Sequence, residues 1–211
     1  VSAISAQTAE GRLYEIDTRL RPSGSVGPVA ASLENFTKYH ESAAQIWERQ
    51  SLTRARPVAG DDELAQKLVA IIDEALARPS DPQALQTEVR AMRFRIFKEH
   101  GSDNPWSIKH CRGGLVELEF TAQFLVLRHG PDEPRLRTTD TRSVLATVIE
   151  IGLLDEPRGQ RLLQAFDLLH ALQAVLRLST TGRDFDPTKA PRGLKDALVL
   201  AANRQLNLGV P

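Results

Sequence analysis

The residues best suited to chemistry lie in Glu15-Ile-Asp17-Thr-Arg19-Leu-Arg21. In an extended segment, residues two apart share a face at roughly 6 to 7 Å. A carboxylate flanked by guanidinium groups combines hard oxygen for Mg²⁺ with planar forks for phosphate oxygens. On pattern alone, a solvated strand face carrying cross-strand ion pairs is the plainer account. The next segment, Pro22-Ser23-Gly24-Ser25-Val26-Gly27, has glycines that would let backbone N–H groups approach a phosphate. It lacks the Lys-Ser/Thr of a P-loop, so a simple turn explains it as well.

Two further clusters carry charge. Trp47-Glu-Arg49-Gln-Ser-Leu-Thr-Arg54-Ala-Arg56 would put Arg49 and Arg56 on one helix face and Arg54 off it. Either a triphosphate site or a basic helix surface fits that pattern. Lys109 and the run Gly113-Gly114-Leu-Val-Glu117-Leu-Glu119-Phe120 place glycines and acids at the start of an apolar helix. Glu117 and Glu119 point in different directions there, so capping or pairing with Lys109 or an arginine suits them better than paired-acid chemistry. Asp184-Phe-Asp186 is formally an Asp-x-Asp but sits beside Pro187 in a loop. Gly101-Ser102-Asp103 lacks a following apolar strand. The five histidines form no i, i+4 pair, which disfavours a histidine metal site.

The elements that must position these residues follow from periodicity. Residues 12–21 alternate, with Tyr14, Ile16, Thr18 and Leu20 on one face, and predict a strand. Residues 26–31 are its candidate hairpin partner. A single strand cannot satisfy its own backbone, so the rest of the sheet is expected outside this chain. Everything later reads as helix. Ser32 caps a helix running toward Arg56, with Leu33, Phe36, His40, Ala43 and Trp47 on one side. Asp61 or Asp62 opens another, with Leu64, Leu68, Ile71 and Ala75 inward. Asp81-Pro82 starts a third, striped by Leu85, Val89, Met92 and Ile96. Residues 115–129 are apolar on most sides and should be central. Helices are also expected over 141–154, 157–179 and 193–207, with 182–191 a loop.

Composition bounds the rest. The 211 residues are 41% apolar and 26% charged, with no net charge. That balance favours no nucleic acid and no membrane surface, though a mononucleotide needs only a local arginine cluster. A lone Cys111 excludes an internal disulfide and points to a reducing, cytoplasmic setting. No apolar run approaches the ~20 residues of a membrane span. Met92 is the only methionine, so Val1 is expected to be a processing or cloning boundary.

Four ordered blocks, Tyr14-Glu-Ile-Asp-Thr-Arg-Leu-Arg-Pro-Ser-Gly24, Trp47-Glu-Arg-Gln-Ser-Leu-Thr-Arg-Ala-Arg56, Leu85-Gln-Thr-Glu-Val-Arg-Ala-Met92 and Gly113-Gly-Leu-Val-Glu-Leu-Glu-Phe120, resemble the bacterial glutamine synthetase adenylyltransferases. The resemblance spans about residues 11–178 and fits their C-terminal, AMP-attaching half better than the de-adenylylating half. It implies a mainly α chain: a helical-bundle domain over 61–211, preceded in 1–60 by a strand or hairpin remnant of a polymerase-beta-like nucleotidyltransferase domain. It further implies Mg²⁺ and ATP in the parent enzyme, with glutamine synthetase and the PII signalling protein as partners. Asp17 matches the third metal-binding, catalytic carboxylate. Arg19, Arg21, Ser23, Gly24, Arg54 and Arg56 match nucleotide-facing positions. Lys109, Gly113, Gly114, Glu117 and Glu119 match structural or interface positions. The Gly-Ser turn and Asp-x-Asp strand that precede the third carboxylate in that family are absent, so the chain by itself is expected to be inactive. Two alternatives remain: a helical module that binds glutamine synthetase or PII, and a relative of the PII uridylyltransferase.

Overall fold

The computed structural model describes residues 6–9, 11–12, 16–18, 20–104, 106–179 and 192. Arg19, Tyr14, Glu15, Asp184-x-Asp186, the 182–191 loop and the helix expected over 193–207 lie outside them. Two short strands, β1 (Gln7–Thr8) and β2 (Gly11–Arg12), pair antiparallel, with Gln7 opposite Arg12. Seven α-helices follow among the described residues: α1 (Leu33–Ser42), α2 (Ile46–Leu52), α3 (Asp62–Ala77), α4 (Pro82–His100), α5 (Leu115–His129), α6 (Thr141–Glu150) and α7 (Glu156–Ser179).

Side chains start most of these helices by satisfying otherwise orphaned backbone N–H groups. Ser32 accepts from Asn35 N at 3.2 Å, Asp61 from Leu64 N at 3.0 Å, Asp81 from Ala84 N at 2.7 Å and Asp140 from Ser143 N at 2.8 Å. Pro82 occupies the first turn of α4 and loses no helical bond there. At α5 the preceding turn replaces a capping side chain: Leu115 N donates to Ile108 O at 3.0 Å and Val116 N to Lys109 O at 3.2 Å. That turn fits only because Gly114 has no Cβ, which would lie 2.6 Å from Ile108 O.

One apolar core joins the helices, centred on α5, which packs against α2, α3, α4, α6 and α7. Leu85, Leu127, Leu136, Leu145, Val126 and Val148 are almost wholly buried. Burial of each such side chain stabilises the fold by about 1.5 to 3 kcal/mol relative to exposure. Leu52 of α2 belongs to the same core, so the bundle gathers helices from both sides of residue 60.

Several sequence expectations change. Residues 16–18 and 20–21 form no strand, and residues 24–26 form a 3-10 turn rather than a hairpin partner. Alternation alone cannot hold a strand, and among the described residues no neighbour offers these positions a ladder. The helix expected from Ser32 toward Arg56 divides at 43–45. The Glu48 carboxylate reaches back to Gln45 N at 2.9 Å and starts α2 afresh as a capping box. Because α2 ends at Leu52, Arg49 and Arg56 share no helix face. On α3 the buried side is Ile72, Ala75 and Leu76, whereas Leu64 is exposed. Ile71 and Ile72 are both apolar, so periodicity leaves the centre of that face open until the partner helices set it. Helix α6 stops at Glu150, four residues earlier than expected.

Candidate functional site

Asp17 is exposed in the irregular segment that leads to the glycine-containing loop. Arg21 shapes that loop. Its Nη1 donates to Thr18 O, and its Nε and Nη2 donate to Gly27 O at 3.4 and 3.2 Å. Gly24 N donates to Arg21 O at 2.8 Å and Gly27 N to Ser23 O at 3.3 Å, closing the turn from inside. Ser23 holds φ 62°, a left-handed backbone that few non-glycine residues adopt. A Cβ on Gly27 would stand 2.3 Å from Pro22 O, so the clasp closes only over glycine. The Arg21 guanidinium therefore works as a strut between 18 and 27, with all three nitrogens engaged.

A polar junction ties this loop to the bundle. Tyr39 Oη donates to Glu48 Oε1 at 2.6 Å, while Oε2 of the same carboxylate caps α2. Glu48 is buried. The hydrogen bond to that carboxylate, with burial second, raises the Tyr39 pKa, and the Ser23 main chain acts in the opposite sense. The phenol thus stands between the loop and α2. Beside it, His40 is buried against the rings of Phe36 and Tyr39, at 4.4 and 5.5 Å between centroids. Burial lowers the His40 pKa, Glu48 opposes that, and Arg78 and Arg49 add to it. Arg78 Nη1 donates to His40 O at 2.8 Å. Arg49 Nη1 and Nη2 donate to Ser80 Oγ at 2.8 Å and Arg78 O at 2.6 Å. Arg49 thereby fastens α2 to the connection between α3 and α4.

The remaining charged positions fall into the bundle. Arg54 Nη1 lies 3.5 Å from Glu119 and 3.2 Å from Thr141 Oγ1, bridging α5 and α6. Arg56 is exposed beyond α2. Glu117 pairs with Arg93 at 2.5 Å and accepts from Gly113 N at 2.8 Å. Lys109 is exposed and contributes its carbonyl to the start of α5. Cys111 has its thiol pKa raised, chiefly by burial, which suits an unreactive thiol.

Ser23 of the loop is thus brought close to Tyr39, which holds Glu48, whereas Arg54, Glu117 and Glu119 serve contacts within the bundle. Among the described residues, no group of three His, Cys, Asp or Glu side chains could hold a metal ion. These residues do not by themselves fit the two-Mg²⁺ centre implied by the family resemblance. Arg21, already shared between two carbonyls, offers no open fork to a triphosphate. Sequence reading missed the Tyr39–Glu48 bridge and the Arg49–Arg78–Ser80 fastening. The signal for the first was Gln45-x-x-Glu48, a capping-box spacing inside an apparently continuous helical pattern.

Comparison with known proteins divides the chain in two. Residues 1–71 match the family model of glutamate-ammonia ligase adenylyltransferase, and residues 84–185 match that of the GlnD PII-uridylyltransferase. Whole-chain relatives agree with the first. The bifunctional glutamine synthetase adenylyltransferase/adenylyl-removing enzyme of Mesorhizobium japonicum is 41% identical over 100% of this chain and 21% of its own length. That of Xanthobacter autotrophicus is 41% identical over 85% of the chain and 18% of its length. The Bradyrhizobium diazoefficiens enzyme is 36% identical over 96% of the chain and 20% of its length. The chain spans about a fifth of these relatives. No described helix is long and apolar enough to cross a membrane.

Proposed function

Because this chain belongs to the glutamate-ammonia ligase adenylyltransferase family, we propose that it forms part of a larger enzyme that attaches AMP from ATP to a tyrosine of glutamine synthetase. Residues 1–60 would close the catalytic unit and residues 61–211 would form the helical domain behind it. One observation carries the reading: similarity to bifunctional adenylyltransferases, at 36–41% identity, extends over 85–100% of the chain. The form of the Tyr14–Gly24 block favours the AMP-attaching half. Asp17 is the catalytic-type carboxylate, and Arg19, Ser23 and Gly24 are the nucleotide-facing positions. Arg21 shapes the loop for them. Mg²⁺ is a ligand of the complete catalytic unit in this reading, because Asp17 alone cannot make its site. The setting is cytoplasmic.

Two measurements test this. The chain alone, given glutamine synthetase, ATP and Mg²⁺, should transfer no AMP; robust transfer overturns the reading. In the intact parent, Asp17→Asn should abolish AMP attachment while leaving removal of AMP measurable. Loss of removal alone would reassign the chain to the other half.

A second reading rests on the match of residues 84–185 to a PII-uridylyltransferase model. A helical domain shared by two enzymes of different nucleotide chemistry suits a contact module for PII or glutamine synthetase. Pull-down with each protein separates it from the first reading, and absence of binding at micromolar concentration removes it.

A further inference from the structure

A groove of about 590 Å³ lies between α4 and α5, and no residue of the 17–27 loop lines it. Its size is that of a small-molecule site rather than of a packing gap. Phe94, Phe97, Phe120 and Phe124 line it, four of the seven phenylalanines in the chain. Phe94 is 69% exposed, an unusual position for a phenyl ring in a helix that has a buried face available. Arg90 and Arg93 of α4 and Arg112 of the turn before α5 also line it, and Glu117 is the one acid among the lining residues. The groove therefore holds an excess of two positive charges in a chain whose formal net charge is zero.

The arginines are unequally engaged. Arg93 pairs with Glu117, and its buried Nε has no hydrogen-bond partner. The Arg112 guanidinium lies 4.6 Å over the Phe97 ring, which orients it without using its N–H donors. Neither Arg90 nor Arg112 makes an ion pair or a side-chain hydrogen bond among the described residues, and both are exposed. Two open guanidinium forks beside an aromatic floor are complementary to a dianionic phosphate joined to a flat ring. A phosphate monoester carries nearly two negative charges at neutral pH, matching the excess in the groove.

We propose that the groove between α4 and α5 is a binding site for an aromatic phosphate monoester of the size of a nucleoside monophosphate. Arg90 and Arg112 receive the phosphate, and Phe94 with Phe120 or Phe124 receives the ring. This site is separate from the Asp17 loop and does not depend on the proposed AMP transfer.

The probe is AMP, titrated calorimetrically into the purified chain, with adenosine and inorganic phosphate as controls. Saturable binding of AMP tighter than about 1 mM is expected, with adenosine and phosphate each weaker by about tenfold or more. Arg112→Gln, Arg90→Gln and Phe94→Ala change exposed side chains, and each should weaken AMP by about five- to tenfold. Asp17→Asn should leave the affinity unchanged. No AMP binding at that concentration overturns the proposal. So does binding that ignores all three groove substitutions, or that is lost in Asp17→Asn, since the ligand would then occupy the loop.

Discussion

The segment before α1 and the bundle that follows it are stabilised in different ways. No described residue before His40 is buried, whereas α3 to α7 share a continuous apolar core. The loop over 17–27 keeps its shape through one guanidinium shared between carbonyls and through its contact with Tyr39. The bundle keeps its shape through transfer of side chains out of water, which is non-directional and large. Asp17 thus sits on the part that has no buried side chain of its own, and the bundle carries the apolar core.

Truncations matched across the two regions should give the largest contrast. Leu85→Ala opens a cavity at a fully buried position and should cost about 2 to 5 kcal/mol in urea denaturation. Leu20→Ala, at a position 66% exposed, should stay within about 0.5 kcal/mol. Comparable losses at the two sites would mean that the early segment has a core of its own.

The bridge between the regions should respond next. Tyr39→Phe removes a hydrogen bond to a buried carboxylate, a change of about 2 kcal/mol. Its more specific readout is local. The Gly24, Val26 and Gly27 amides, which bond within the loop, should exchange with deuterium faster, while Val126 and Leu127 in α5 keep their relative protection. Uniform acceleration through loop and bundle would show that Tyr39 stabilises the whole molecule rather than coupling its parts.

The same contrast explains what was legible in the sequence. Ser32, Asp61 and Asp81-Pro82 act within three residues, so their caps could be read directly, and the apolar run of 115–129 could be read as the central helix. Asp17 and its flanking arginines could be recognised as a type, but not their partners. Whether an arginine faces a phosphate or a carbonyl depends on where Gly27 or Glu119 arrives, and that is fixed by the path of the chain. The strand expected over 12–21 does not form at 16–18 and 20–21 for the same reason, because a ladder is a property of two segments. The four phenylalanines of the groove stand at i, i+3 and i, i+4 spacings on two helices. Phe94 and Phe97 lie off the stripe of Leu85, Val89, Met92 and Ile96, and only the packing of α4 beside α5 brings them together with Phe120 and Phe124.

The smallest expected effect is a pH dependence arising at the junction. His40 is packed against Phe36 and Tyr39 with Arg49 and Arg78 nearby, an environment that disfavours its imidazolium despite Glu48. Its pKa in the folded chain therefore lies below the ordinary 6.5. As pH falls through that ordinary value, the unfolded chain takes up a proton that the folded chain resists, so stability declines. The decline continues until the folded pKa is passed, and above the ordinary value His40 adds no slope. His129, also lowered chiefly by burial, acts in the same direction and leaves a background. Urea denaturation of wild type and His40→Gln on both sides of that value isolates the junction. The substitution should flatten the acid decline while leaving the His129 share. An unchanged slope in His40→Gln, or greater stability of the wild type on acidification, would remove the buried imidazole from the account of how loop and bundle are joined.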